Sequence, residues 1–330
     1  MTYTIGIDLG GTNIVAGLVD SDGQILAKAS LPTLAGRPAQ AILGDIATLA
    51  RNVASEAGIA LRDIGSVGVG SPGSVNKSTG LIECSPNLDW SNVPLRDTLS
   101  AELNHTVYIE NDANAAAFGE YIIGAAKDYD TFLMITLGTG IGGGMVQHGV
   151  IYEGFNFAGM EVGHMVVTRG GRPCRCGRHG CFERYASATG LILTAREYMA
   201  RYPASLLWEL ASGDPENVDG RMPFDAMEQG DLPATEAVRA YTADLACGIT
   251  NLINIFQPDI LAVGGGIAGQ GERLLAPLRE IVAQEVYSRD SARNTKIVAA
   301  QLGNDAGIIG AANLYRENIG SIETIAAFKS

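Results

Sequence analysis

The sequence contains no Gly-Lys pair, which excludes the G-x-x-x-x-G-K-[ST] phosphate loop and the NTPases built on it. It is also short of basic residues. Against 36 Asp and Glu stand 23 Lys and Arg, a net charge of −13, so a sequence-independent grip on nucleic acid or on an anionic membrane surface is excluded. Local anion sites stay open to it, because backbone amides build them without side-chain charge. No apolar run approaches the roughly 20 residues of a membrane span. Met1-Thr2-Tyr3-Thr4-Ile5 lacks the basic start and apolar core of a secretion signal, and the expectation is a cytoplasmic protein. Five cysteines are too few and too uneven in number for a disulfide framework in a chain of 330 residues.

What is present is a hydrophobic fraction of 46%, a charged fraction of 18% and 42 glycines, the composition of an α/β protein with many special turns. The length suits two domains or one large one. Tyr3 to Asp8, Ile14 to Val19 and Ile25 to Ala29 read as a strand meander, joined by Gly10-Gly11-Thr12 and by Asp22-Gly23. The pattern returns at Phe132 to Leu137, Gly144 to Gln147 and Val150-Ile151. Leu9-Gly10-Gly11-Thr12 is echoed by Leu137-Gly138-Thr139-Gly140 at an offset of 137 − 9 = 128 residues, about one domain. Between and after the meanders the spacing predicts a helix from Pro38 to Ala57, strands at Ser66 to Val69 and Thr106 to Ile109, and a helix opening near Asp112. A largely helical stretch from Phe182 to Phe256 follows, then a strand from Asp259 to Val263, the turn Gly264-Gly265-Gly266, a helix from Glu272 to Val286, a strand from Thr295 to Ala300 and a helix from Asp305 to Arg316.

The G-x-G-x-x-G pattern starts at Gly68, Gly138 and Gly264. In so Gly-rich a chain the bare motif decides little. A dinucleotide-binding reading survives only at Gly264, and no βαβ series precedes it. Asp8 through Asn13 and Leu137 through Gly142 read better as hairpin turns whose exposed amides and Thr hydroxyls wrap phosphates. Asp8, ending a strand beside the first turn, is placed to hold Mg²⁺ directly or through water. Asp112 precedes the good helix former Ala113 to Tyr121, so its plain alternative role is an N-cap. Helix polarity would lower its pKa and burial would raise it. Cys174, Cys176 and Cys181 offer three thiolates, and tetrahedral Zn²⁺ needs one more ligand. His179 inside the loop and His164 ten residues upstream are both candidates, with proximity favouring His179.

Asp8-Leu9-Gly10-Gly11-Thr12, Glu110-Asn111-Asp112-Ala113-Asn114, Leu137 to Gly144, Glu161-Val162-Gly163-His164, Cys174 to Cys181 and Gly264-Gly265-Gly266 together resemble the ROK family of the actin-like sugar kinase superfamily, above all its glucose-phosphorylating bacterial members. The resemblance covers nearly the whole chain. It implies a two-domain actin-like (ribonuclease H-like) α/β fold with an interdomain cleft, residues 1–120 plus 305–330 forming the N-terminal domain and 121–304 the larger one, with a zinc loop at 164–181. It implies ATP-dependent phosphorylation of a hexose at the 6-hydroxyl, glucose first, with fructose, N-acetylmannosamine and N-acetylglucosamine as alternatives.

By the same resemblance Asp112 is the catalytic base, and Asn87, Asn111, Glu161, His164 and Glu183 contact sugar. Asp8, Gly10, Gly11, Thr12, Asn13, Gly138, Thr139, Gly140, Gly264, Gly265 and Gly266 surround Mg²⁺-ATP. Structural zinc would lie on His164, Cys174, Cys176 and Cys181, which sets aside His179. A homodimer or homotetramer is implied, without nucleic acid or membrane partners. Sugar-responsive repressors share the fold but carry a DNA-binding region ahead of it, for which a first strand at Tyr3 is expected to leave no room. A sugar sensor without catalysis is the alternative of another class.

Overall fold

Short apolar strands separated by Gly-containing turns make the start of the chain an antiparallel meander, β1 (Tyr3–Leu9), β2 (Asn13–Val19) and β3 (Ile25–Pro32). The computed structural model describes residues 3–317. Helix α1 (Ala39–Glu56) buries Ile42, Leu43, Ile46, Leu49, Ala50 and Val53, a stripe at helical spacing, and stops at Gly58, whose φ of +71° no β-carbon favours. Strand β4 (Ile64–Ser71) then pairs parallel to β1.

A small antiparallel sheet follows, β5 (Ser74–Asn76), β6 (Leu81–Ser85) and β7 (Trp90–Val93), and then α2 (Leu95–Leu103). Neither is legible in the sequence, since strands of three to five residues are shorter than the alternation a period-2 reading needs. Strand β8 (Val107–Asn111) pairs parallel to β4 and runs into α3 (Asp112–Ile122).

The second meander is β9 (Thr131–Leu137), β10 (Ile141–Gln147) and β11 (Val150–Ile151). β10 begins at Ile141 rather than Gly144, so three consecutive glycines lie inside the strand. Five helices follow: α4 (Glu183–Ala186), α5 (Ala188–Arg201), α6 (Leu206–Leu210), α7 (Met222–Glu228) and α8 (Leu232–Phe256). The chain ends on β12 (Ile260–Gly264), α9 (Glu272–Glu285), β13 (Lys296–Ala299) and α10 (Ala306–Asn313). The two five-stranded sheets have the same order, β3-β2-β1-β4-β8 and β11-β10-β9-β12-β13.

The described residues divide into two compact units, one of residues 3–133, 144–160 and 301–317, the other of 134–143 and 161–300. Of the N-terminal domain expected from the sequence, residues 318–330 lie outside the described residues. In the first unit the core gathers Ile5, Ile7, Leu9, Ile14 and Leu18 with the apolar face of α1. Helix α10 lies on the same sheet at the cross-strand pair Gly6 and Gly68. A β-carbon at either would come within 1.8 Å of the Ile308 or Ala311 carbonyl oxygen, so these glycines are what admit the helix. In the second unit Ala195, Met199, Leu207 and Ala234 form a helical core, and the buried Tyr241 hydroxyl donates to the Ala186 carbonyl at 2.9 Å. Among the described residues no helix is long and apolar enough to cross a membrane.

Candidate active site and thiol cluster

In the first unit, the β1–β2 turn is closed by the Gly10 amide donating to the Asn13 carbonyl at 2.9 Å. Thr33 braces it, its hydroxyl donating to the Gly10 carbonyl at 2.7 Å and its amide to the Thr12 carbonyl at 2.8 Å. Gly11, Thr12 and Asn13 are left exposed. A β-carbon at Gly11 would stand 3.8 Å from Asn87, so the turn and the residue after the β6 strand end are neighbours.

Asp8 sits at the end of β1, and its carboxyl is pushed up to about 6 by burial first and by the charge of Asp112 second, with Lys28 pulling the other way. Lys28 in turn pairs with Asp305. Two carboxylates on the ends of different strands thus feel each other, the arrangement that a divalent cation or a shared proton relieves.

Asp112 is not the N-cap that its position suggests. Asn111 caps α3, its Oδ1 accepting from the Ala113 and Asn114 amides at 2.9 and 3.2 Å. Asp112 is the first helical residue, and its own Oδ1 accepts from the Ala113 amide at 2.9 Å. The opposing effects on its pKa are decided by the fold: burial pushes it up, and the hydrogen bonds from the Ala113 amide, its own amide and Asn111 only moderate the rise. Asn111 Nδ2 donates to the Gly73 carbonyl at 3.2 Å, which ties this corner to the chain just ahead of β5.

In the second unit, the β9–β10 turn is closed by the Gly138 amide on the Gly140 carbonyl at 3.1 Å. The Ala188 amide and Thr189 hydroxyl hold the Gly138 and Thr139 carbonyls at 2.9 and 2.8 Å, so the start of α5 fixes this turn. Gly264-Gly265-Gly266 lies against it. Gly265 has a φ of +85°, and a β-carbon there would meet the Leu137 backbone at 2.6 Å, while Gly266 faces open space.

A 3-10 turn spans Val162–His164, with Glu161 just ahead of it. His164 Nδ1 lies 3.6 Å from Cys174 Sγ, Cys176 Sγ lies 3.6 Å from Cys181 Sγ, and one ligand atom from each of these four residues falls within 4.8 Å of all the others. His179 is not in the group. Four ligands at zinc–sulfur bonds of about 2.3 Å would set sulfurs about 3.8 Å apart around a tetrahedral ion, so the cluster is of the right size and chemistry for Zn²⁺.

Burial pushes the Cys174 thiol up to about 12, whereas Cys176, hydrogen-bonded by the Arg178 amide, is lowered. Glu183 opens α4 beside the cluster, its Oε1 3.0 Å from Cys174 Sγ and 3.7 Å from His164 Nδ1. A β-carbon at Gly140 would stand 2.6 Å from Glu183 Oε2, so this carboxylate lies between the thiol cluster and the β9–β10 turn. Arg178, which donates to the His164 carbonyl at 3.0 Å, and Thr33 are supporting residues that no motif marks. Cys84 and Cys247 stand apart as free thiols.

The fold is the actin-like one of the sugar kinases. It matches the crystal structure of a ROK family glucokinase from Streptomyces griseus in complex with glucose and AMPPNP, with a TM-score of 0.80 and 35% identity over 94% of this chain and 98% of that one. Glucokinase of Thermotoga maritima is 42% identical over 96% of this chain and 98% of its own length, and that of Streptomyces coelicolor is 36% identical over 96% and 98%. The ROK family model matches residues 4–318, and the chain belongs to the ROK family.

Proposed function

We propose that the chain is an ATP-dependent hexose kinase that converts glucose to glucose 6-phosphate. The observation that carries the reading is Asp112: a carboxylate at the start of a helix, with a raised pKa, directly after the capping Asn111, in a chain similar over nearly its full length to named glucokinases. Asp112 accepts the proton of the 6-hydroxyl as its oxygen attacks the γ-phosphate, and the new phosphate ester leaves with ADP as the other product. Positioning carries much of the catalysis, because phosphoryl transfer asks little covalent chemistry of the protein.

Asn87, Asn111, Glu161, His164 and Glu183 pair the sugar hydroxyls. Asp8 holds Mg²⁺. The turns at Gly10 to Asn13 and Gly138 to Gly140 meet the phosphates, and Gly264 to Gly266 lies against adenosine. His164, Cys174, Cys176 and Cys181 would hold a structural zinc ion, which supplies a rigid crosslink that orients Glu161, His164 and Glu183. The packing of α10 on Gly6 and Gly68 supports assigning the final helix to the N-terminal domain. A homodimer or homotetramer goes with this reading, and the three crowded free thiols support a reducing, cytoplasmic setting. The net charge of −13 supports the absence of a nucleic-acid partner.

The test is coupled ADP release with Mg²⁺-ATP over a panel of hexoses and N-acetylhexosamines, on protein of measured zinc content. Selective turnover of glucose is the expected result. Preference for an N-acetylhexosamine would move the substrate, and binding of a sugar without turnover of any would make the chain a sensor.

A further inference from the structure

Buried beside the candidate base is an ion cluster to which no motif or role assigns a purpose. Lys77 lies in the turn between β5 and β6, its ammonium 2.7 Å from Glu110 Oε2 and 2.8 Å from Glu317 Oε2, and paired as well with Glu153. These carboxylates come from three separate segments: the end of β8, the chain after β11 and the chain after α10. Glu110 is almost wholly buried, at 2% exposure, and its Oε2 has no well-aligned hydrogen bond. Among the described residues, the Lys77 charge is what compensates it.

The other oxygen of Glu110 builds the corner where Asp112 sits. Glu110 Oε1 accepts from the Asn111 amide at 2.8 Å and from Asn114 Nδ2 at 3.0 Å. Asn111 then caps α3 and reaches back to the Gly73 carbonyl just ahead of β5. The β5–β6 hairpin is therefore tied to the β8–α3 corner at two points, through Lys77 and through Gly73, and this hairpin leads into Asn87. Burial pulls the Lys77 pKa down, but Glu110 and Glu317 outweigh it and the ammonium stays charged.

We propose that Lys77 is a positioning residue for sugar phosphorylation: by compensating the buried Glu110 it fixes the corner that presents Asn111 and Asp112 and holds it in register with the hairpin bearing Asn87. The inference rests on the hexose-kinase reading for its kinetic consequence and on the structure alone for its geometric one. A buried carboxylate left without its partner charge draws in water or a proton and loosens what it held. The parameters that depend on the corner should move, and those that depend on the nucleotide turns should not.

The experiment compares Lys77→Met and Lys77→Arg in the full chain, by steady-state kinetics, melting temperature and amide hydrogen exchange at Asn111. For Lys77→Met we expect kcat to fall by about tenfold or more and the glucose KM to rise several-fold, with the ATP KM within about twofold. Lys77→Arg, which keeps the charge, should return kcat to within about threefold of the parent. The Asn111 amide should exchange at least about tenfold faster in the Met variant alone. Should the Met variant fail to fold, Lys77→Gln, which stays polar but likewise leaves the Glu110 carboxylate without its charge partner, is expected to move the same parameters in the same direction.

A folded Lys77→Met protein with unchanged kinetics and exchange overturns the proposal. So does a loss spread equally over kcat and both KM values, or equal impairment of the Met and Arg variants. The exchange measurement needs no substrate. Absence of turnover in the parent would therefore overturn the kinase reading while the fate of the Asn111 amide still decides the role of Lys77.

Discussion

The two five-stranded sheets share one strand order, yet their strand ends carry different chemistry. In the first, β1 ends near Asp8 and β8 runs into Asp112, two carboxylates whose charges interact. In the second, at the offset of 128, the position of Asp8 is taken by Thr136, and the neighbouring strand end is Gly264-Gly265-Gly266. One copy of the scaffold holds two interacting carboxylates, and the other offers backbone amides, hydroxyls and a thiol cluster. Topology was duplicated and chemistry divided, because strand ends are where loops can change without disturbing the core.

The sharpest way to break this comparison is to remove the proton acceptor. Asp112→Asn should keep the fold and sugar binding and lose kcat by about 10³-fold, read by coupled ADP release, since general-base contributions run to about 10²–10⁴. A variant within tenfold of the parent would return the base role to another group.

Testing the proposed zinc site of the Cys174–Cys181 loop comes next. Zinc-free protein, verified by metal analysis, should melt earlier and bind glucose at least about tenfold more weakly, with ATP affinity changed far less. Equal loss for both ligands would mean that the cluster serves the whole unit rather than one end of it.

Asp8→Asn separates stability from function. The folded carboxyl keeps its proton to about 6, against 3.8 as the ordinary value, so stability falls as pH rises from 3.8 through about 6 and stays reduced above it. Removing that ionisable group should stabilise the ligand-free protein at pH 7 by about 1–2 kcal/mol, allowing for partial solvent screening, while the Mg²⁺-ATP KM rises. A melting temperature that falls at pH 7 and rises at pH 4 would reverse the sign and the argument.

The smallest effect sharpens the symmetry itself. Thr12→Ala and Thr139→Ala each remove one turn hydroxyl and should each raise the ATP KM by a few-fold, as one exposed hydrogen bond contributes about 0.5–1.5 kcal/mol net. If only one of the pair responds, the two turns do not share the phosphates.

Much of this was legible in the chain. Strands with apolar faces and Gly-Gly-Thr or Gly-Thr-Gly turns repeat after 128 residues, and both sheets follow from that repeat. Cys174, Cys176 and Cys181 announce a thiol cluster by local spacing alone, and the structure gathers them with His164. The β5–β7 sheet was not legible, because its strands are too short to show a period. The Asn111 cap was not either: Asn and Asp are nearly equal as caps, and only the backbone shows that the helix starts one residue later than an Asp112 cap would require.

By itself the sequence determined the elements and the chemical inventory, since periodicity, turn residues and ligand spacing are properties of neighbours along the chain. Tertiary structure decided what depends on neighbours in space. It put His164 rather than His179 with the three cysteines, raised the Asp112 pKa where helix polarity and burial compete, and brought Glu110, Glu153 and Glu317 around Lys77. Burial and through-space charge set those outcomes, and neither can be read from the order of residues.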